Sequence, residues 1–165
     1  KIAEQVGLQV GFSGLKHPRL YAELNQDFQL DFQIQIKHNI LQSAYEHYQD
    51  FQSQNRFITY GINAGGLKLA HESFHPTSYL KMRGGNISKP HPILQPLQQI
   101  ISIANQQTHR PPIQHFFQVG MTYAFYSPNI QAILMGSSNV EQWQANFEFF
   151  KNLKIVDNYI HTRYM

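Results

Sequence analysis

Gly136, Ser137 and Ser138 stand where the short apolar run Gln131 to Met135 stops and a helical pattern begins at once. A strand, a turn of small residues and a helix N-terminus together present backbone N–H groups that an anion such as a phosphate can accept. Four residues apart on the helix that follows, Gln142 and Asn146 fall on one face, so both amides can reach one ligand. Three earlier segments end in the same way. Ser13 and Gly14, then Gln35 to Asn39, then Tyr60 to Gly66 each close an apolar or alternating run with polar or small residues. The chemistry these residue types offer is binding: hydroxyl, amide and backbone donors, with an aromatic face at Tyr60. Ser138 has a plainer reading as a helix N-cap, and Ser13 as a turn or capping serine.

Such rims need elements to carry them. Gly7 to Gly14 reads as a short strand, and His17 to Leu24 as a helix with Pro18 in its first turn. Asp31 to Lys37 alternates apolar and polar side chains with period two and is expected to be a strand. Ser43 to Asn55 carries Ala44, Tyr48 and Phe51 at helical spacing, which predicts an amphipathic helix. Arg56 to Gly61 is a third strand, followed by the turn Asn63-Ala-Gly-Gly66 and an irregular stretch to about Pro90. Helices are expected over Leu94 to Gln106 and Ile113 to Tyr126, split by Arg110-Pro-Pro112. The last strand is Gln131 to Met135 and the last helix Asn139 to Asn152, with Trp143, Phe147 and Phe150 along one side.

Strands alternating with helices imply an α/β fold with a parallel sheet and right-handed crossovers. Four such units could make a half barrel or a small open sheet. In either, ligands lie beyond the carboxyl ends of the strands, which is where the rims fall.

Composition narrows the classes. With 165 residues the chain can bury one core. Charged residues are only 14%, the formal charge of +3 is scattered without a Lys/Arg run, and nucleic acid is therefore not the expected partner. The absence of cysteine excludes a disulfide framework and cysteine-ligated metal and fits a cytoplasmic protein. No apolar run approaches the ~20 residues that span a bilayer, and no signal peptide is visible. The chain opens on Lys1 rather than Met and so reads as a fragment or a processed product.

The four rims resemble, in order, the C-terminal half of an aldo-keto reductase, an NADP- or NAD-dependent (β/α)8 barrel of the TIM type. Val10-Gly-Phe-Ser-Gly14 is similar to the family's fifth-strand Gly-x-Ser-Asn, and Gln35-Ile-Lys-His-Asn39 to its sixth-strand Gln-x-x-x-Asn. Tyr60-Gly-Ile-Asn-Ala-Gly-Gly-Leu67 resembles the seventh-strand Tyr-Ser-Pro-Leu-x-x-Gly-Leu. Met135-Gly-Ser-Ser-Asn-Val-Glu-Gln-Trp-Gln-Ala-Asn146 resembles the eighth-strand Gly-x-Ser-x-x-x-Gln-x-x-x-Asn of the branch that includes potassium-channel β subunits. The match spans roughly residues 1–152, with 153–165 left as a C-terminal tail.

The resemblance implies an oxidoreductase acting on aldehydes, ketones or alcohols with a nicotinamide dinucleotide. Ser13 and Gln35 would hold the nicotinamide carboxamide, and Tyr60 would stack on that ring. Gly61 and Asn63 would lie near the pyrophosphate. Gly136, Ser137 and Ser138 would meet the adenosine ribose or its 2′-phosphate, with Gln142 and Asn146 on the adenosine. Gln142 stands where many members carry Arg, so NADP is expected with NAD as an alternative. The family's catalytic Asp, Tyr, Lys and His come from its first four strands, and no counterpart is assigned here. The expected partner is accordingly the missing N-terminal half barrel or a second copy of the chain. A non-catalytic, nucleotide-binding half barrel closing by dimerisation is the alternative reading.

Other reactive side chains carry less. His71-Glu72-Ser73-Phe74-His75 has the His-Glu-x-x-His spacing, but the segment reads as loop rather than helix, and both histidines read as surface residues. Arg83-Gly-Gly-Asn86 reads as linker. His38 could face either the rim or the opposite side of its strand.

Overall fold

The computed structural model describes residues 5–51, 56–69, 82, 91–106 and 111–163. His71, His75 and Arg83 to Asn86 lie outside the described residues, as do the side chains of 154–165. The chain divides into two compact units, Lys1–Ile62 with Tyr123–Leu134, and Asn63–Thr122 with Met135–Met165.

The first unit is α/β. Its elements are β1 (Gly11–Ser13), α1 (Pro18–Phe28), β2 (Gln33–Asn39), β3 (Gln42–Ser43), a 3-10 helix (Tyr45–Phe51), β4 (Arg56–Tyr60) and β5 (Ile130–Ile133). β1, β2, β4 and β5 pair in that order, every pair parallel, and β3 adds a two-residue antiparallel bridge to β2. Sequential order without reversal means that each crossover steps the same way along the sheet. With crossovers of one hand, α1 and the 3-10 helix then lie on one face.

The register makes that face apolar. Phe12, Ile34, Phe57 and Ile130 align across all four strands, and Ile36 aligns with Thr59 and Ile133. Phe32, Ile34, Ile36 and Phe57 form the core with Tyr48 and Phe51 of the 3-10 helix, and Ala22 of α1 packs against it. Full burial of each such aliphatic or aromatic side chain contributes about 1.5–3 kcal/mol. The alternate positions, Ser13, Gln35, Ile58, Lys37 and Tyr60, occupy the other face. A bulge between β4 and β5 leaves Gln131 as an extra residue, since Ile130 pairs with Phe57 but Ala132 pairs with Ile58.

α1 starts on Pro18 and ends on Gln29 in the left-handed region (φ 48°). The buried Asn25 secures that end. Its amide donates to the Leu30 carbonyl at 3.0 Å and its oxygen accepts the Leu30 N–H at 2.9 Å, as a paired peptide would. The segment expected as an amphipathic helix over Ser43 to Asn55 is different. Ser43 belongs to β3, and Tyr45–Phe51 forms a 3-10 helix kinked at Tyr48 (φ −109°, ψ 26°). Three residues per turn bring Tyr48 and Phe51 onto one side, and both are buried.

The second unit holds α2 (Leu94–Asn105), most of α3 (Phe116–Phe125) and α4 (Val140–Arg163). Leu97, Ile101, Phe116, Val119, Met121, Phe149 and Leu153 are its buried apolar side chains. α3 starts later than the expected Ile113 because Gln114 and His115 give their N–H groups to Gln118 Oε1 at 2.6 and 2.9 Å. Asn105 repeats the device of Asn25 by pairing both polar groups of Ile113 at 2.9 and 2.8 Å. α4 runs past the expected end at Asn152 to Arg163. Among the described residues no helix is long and apolar enough to cross a membrane.

Candidate functional site

In the first unit the expected residues collect on the polar face of the sheet. Ser13 and Gln35 are register partners across β1 and β2, and Lys37 and Tyr60 are partners one step further toward the carboxyl ends. Gly11 allows the close approach of β1 to β2, because a Cβ there would sit 2.9 Å from the Gln33 carbonyl oxygen. Gly14 and Gly61 both adopt positive φ, 65° and 69°, so the chain can turn sharply where β1 and β4 end.

Other side chains hold this rim in place. The 3-10 helix pins the loop after β1, since the Leu15 N–H donates to Tyr48 Oη at 3.1 Å and His47 Nε2 meets the Leu15 carbonyl at 3.3 Å. Burial raises the Tyr48 phenol above its ordinary pKa, so it stays protonated. Asn39, almost wholly buried, donates to the Gly61 carbonyl at 2.9 Å and accepts the N–H groups of Leu41 and Gln42 at 3.0 and 2.9 Å. It thereby ties the end of β2 to the turn after Tyr60.

His38 belongs to the opposite, core face. It is buried, stacks on Tyr123 at 4.9 Å and bridges two serines, Ser43 Oγ at 2.7 Å from Nδ1 and Ser127 Oγ at 2.9 Å from Nε2. The network assigns its tautomer. Ser127 spends its proton on the Tyr123 carbonyl at 2.7 Å, so it accepts from Nε2–H, and the Ser43 hydroxyl donates to Nδ1. Burial holds the His38 pKa below its ordinary value, which keeps the ring neutral. Its role is structural. Lys37, inside the Gln35 to Asn39 set but given no role of its own there, is two residues from Gln35 on an alternating strand and hence on the same face.

In the second unit the turn before α4 is more built than free N–H groups would be. Asn139, rather than Ser138, caps the helix, with Oδ1 accepting the Gln142 N–H at 2.8 Å. Gln142 reaches back, its Oε1 accepting the Ser138 N–H at 2.8 Å. The Gln142 oxygen and the Ser138 N–H are therefore engaged with each other, which leaves the Gln142 Nε2 to donate outward.

Asn146, one turn on, is 6% exposed, and its Nδ2 donates to Ser137 Oγ at 3.2 Å. Its Oδ1 is buried without a partner, as is Oδ1 of Asn63. These are the only two such side-chain atoms among the described residues. Turning the Asn146 amide over would orphan the nitrogen instead, because Ser137 offers only one contact. The Asn63 carbonyl accepts the N–H groups of Gly66 and Leu67 at 2.9 and 3.0 Å, closing a turn in which Ala64, Gly65 and Gly66 all have positive φ (48°, 83° and 94°).

A cleft of about 980 Å³ lies elsewhere in the first unit, between α1 and the 3-10 helix, lined by Arg19, Glu23, Gln26, Asp31, Asp50 and Phe51 among others. It opens at the end of the sheet where β2 begins, opposite the rim of Ser13 and Tyr60. Among the described residues no three His, Cys, Asp or Glu side chains gather as a metal site requires.

No protein-family model matches the chain, and a search of curated proteins finds no match either.

Proposed function

We propose that this chain is the cofactor-binding part of an NAD(P)H-dependent aldo-keto reductase, corresponding to strands five to eight of a (β/α)8 barrel. The observation that carries the reading is the orphaned acceptor of Asn146. A buried carbonyl oxygen without a hydrogen bond costs about 1–3 kcal/mol, and such a group calls for a donor outside the chain, whether a water, an ion or a ligand. The exocyclic amine of adenine is a donor of that kind, and the free Nε2 of Gln142 can serve a ring nitrogen or a ribose hydroxyl. Asn63, the other orphan, also stands at a position where the resemblance implies cofactor contact.

The first unit supports the same reading through its own groups. Ser13 and Gln35 together offer the hydroxyl and amide a carboxamide needs. Tyr60, partly exposed, offers an aromatic face, and Lys37 adds a positive charge suited to an anionic cofactor. When bound, the nicotinamide ring supplies the hydride chemistry, and the residues named here bind and orient it. No acid able to protonate a developing alkoxide is assigned in this chain, so the proposal is one of binding rather than turnover.

Calorimetric titration of the purified chain with NADPH and with NADH tests it. Saturable micromolar binding of at least one is the expected result, with NADP(H) the first candidate. No heat with either dinucleotide would refute the reading.

A further inference from the structure

Lys37 stands on β2, a strand with a parallel neighbour on each side. It shares the polar face of the sheet with Ser13 and Gln35, and Tyr60 is its register partner. A lysine so placed packs its methylenes on whatever lies beside it and keeps its ammonium toward solvent. Here the stem runs along Gly61, where a Cβ would sit 3.5 Å from Lys37 Cγ and 3.7 Å from Cε. Glycine leaves that side of the lysine open.

Two further observations set this lysine apart. The first is its charge. Arg19 of the same unit is matched by Glu23 at 3.0 Å, whereas among the described residues no carboxylate meets Lys37. The second is its anchorage. Asn39, two residues further along β2, donates to the Gly61 carbonyl at 2.9 Å, and Gly61 itself takes φ 69°. One strand thus carries the ammonium and also holds the turn after Tyr60 beside it. A cation and a backbone turn fixed together in advance lower the ordering cost of taking up an anion.

We infer that Lys37 is the charged contact for the pyrophosphate of the dinucleotide, and so a specificity-determining residue. This rests on the proposed dinucleotide binding, in which Gly61 lies beside the pyrophosphate. The other rim groups of the unit, the Ser13 hydroxyl, the Gln35 amide and the Tyr60 ring, are neutral, and a hydrogen bond from an ammonium to phosphate oxygen is about twice as strong as a neutral one. From Met135 to Phe150 the sequence carries no Lys or Arg, so the segment assigned to the adenosine supplies no cation of its own. The charge recognised by Lys37 is the one that NADH and NADPH share.

Calorimetric titration of the parent, Lys37→Gln and Lys37→Arg with NADH and with NADPH, at low and at high ionic strength, tests this. Lys37→Gln should weaken both dinucleotides by the same factor, about tenfold, and Lys37→Arg should stay within about threefold of the parent. The parent should lose affinity with added salt more steeply than Lys37→Gln. A folded Lys37→Gln that binds as tightly as the parent, or a loss confined to NADPH, overturns the inference and leaves dinucleotide binding standing. A parent that binds neither dinucleotide overturns both. Should Lys37→Gln unfold, chemical acetylation of the parent decides. NADH should protect Lys37 and spare the exposed Lys151 no labelling, read by peptide mass spectrometry, and equal labelling of Lys37 with and without NADH contradicts the contact.

Discussion

Asn146 donates from Nδ2 to Ser137 Oγ at 3.2 Å while its own Oδ1, nine-tenths buried, meets no donor. The proposed dinucleotide reading rests on that unsatisfied acceptor.

Replacing Asn146 separates stability from binding. Asn146→Ala removes one weak hydrogen bond and one orphaned acceptor, so the midpoint of urea unfolding should shift by less than about 1 kcal/mol in free energy. Dinucleotide affinity should fall about tenfold, equivalent to ~1.4 kcal/mol. A residue serving only to cap the turn would give the reverse pattern, a destabilised protein without a ligand-specific loss.

His38 makes stability depend on pH. Its folded pKa lies below its ordinary value of 6.5 because burial disfavours the charged ring. The unfolded chain therefore takes up the proton first as the solution is acidified. The contribution of His38 is fully present above about pH 6.5 and is lost as pH falls toward the folded pKa. Urea midpoints measured from about pH 8 down to about pH 5 should decline, and His38→Gln should flatten that slope. A parent whose stability rises on acidification in this window would contradict the assignment.

Two glycines should respond differently to added bulk. Gly11→Ala places a methyl 2.9 Å from the Gln33 carbonyl oxygen, so β1 must move and about 1–3 kcal/mol is lost. At Gly61 the space is open enough, with Lys37 Cγ 3.5 Å from a Cβ, but φ is +69°. Gly61→Ala should cost about 1–2 kcal/mol through backbone strain, and Gly61→Asn less, because Asn tolerates the left-handed region. Denaturation curves of the three variants check the ranking, and equal costs for Ala and Asn at position 61 would argue against strain.

How far these features were legible from residues alone follows from the range of the forces involved. The four parallel strands lie within a few residues of their expected bounds, because the alternation of Gln33 to Lys37 and the small residues closing each strand are local signals. His38, left open between the rim and the opposite side of its strand, is in phase with Ile34 and Ile36 and lies on their face. The 3-10 geometry at Tyr45–Phe51 was not legible, since Tyr48 and Phe51 suit either a three- or a four-residue turn. Nor was Asn39, whose partner Gly61 is 22 residues away, or the capping of α4 by Asn139 when Ser138 offers equally good chemistry. Long-range polar pairings leave little trace in composition or period.

The most direct test of the central claim is a map of amide chemical-shift changes in the labelled chain on addition of NADPH or NADH. Saturable changes at Ser137, Gln142 and the Asn146 side-chain amide, together with Ser13, Gln35 and Tyr60, are the predicted result. Changes confined to the cleft near Arg19 and Asp50, or none at saturating dinucleotide, would contradict it.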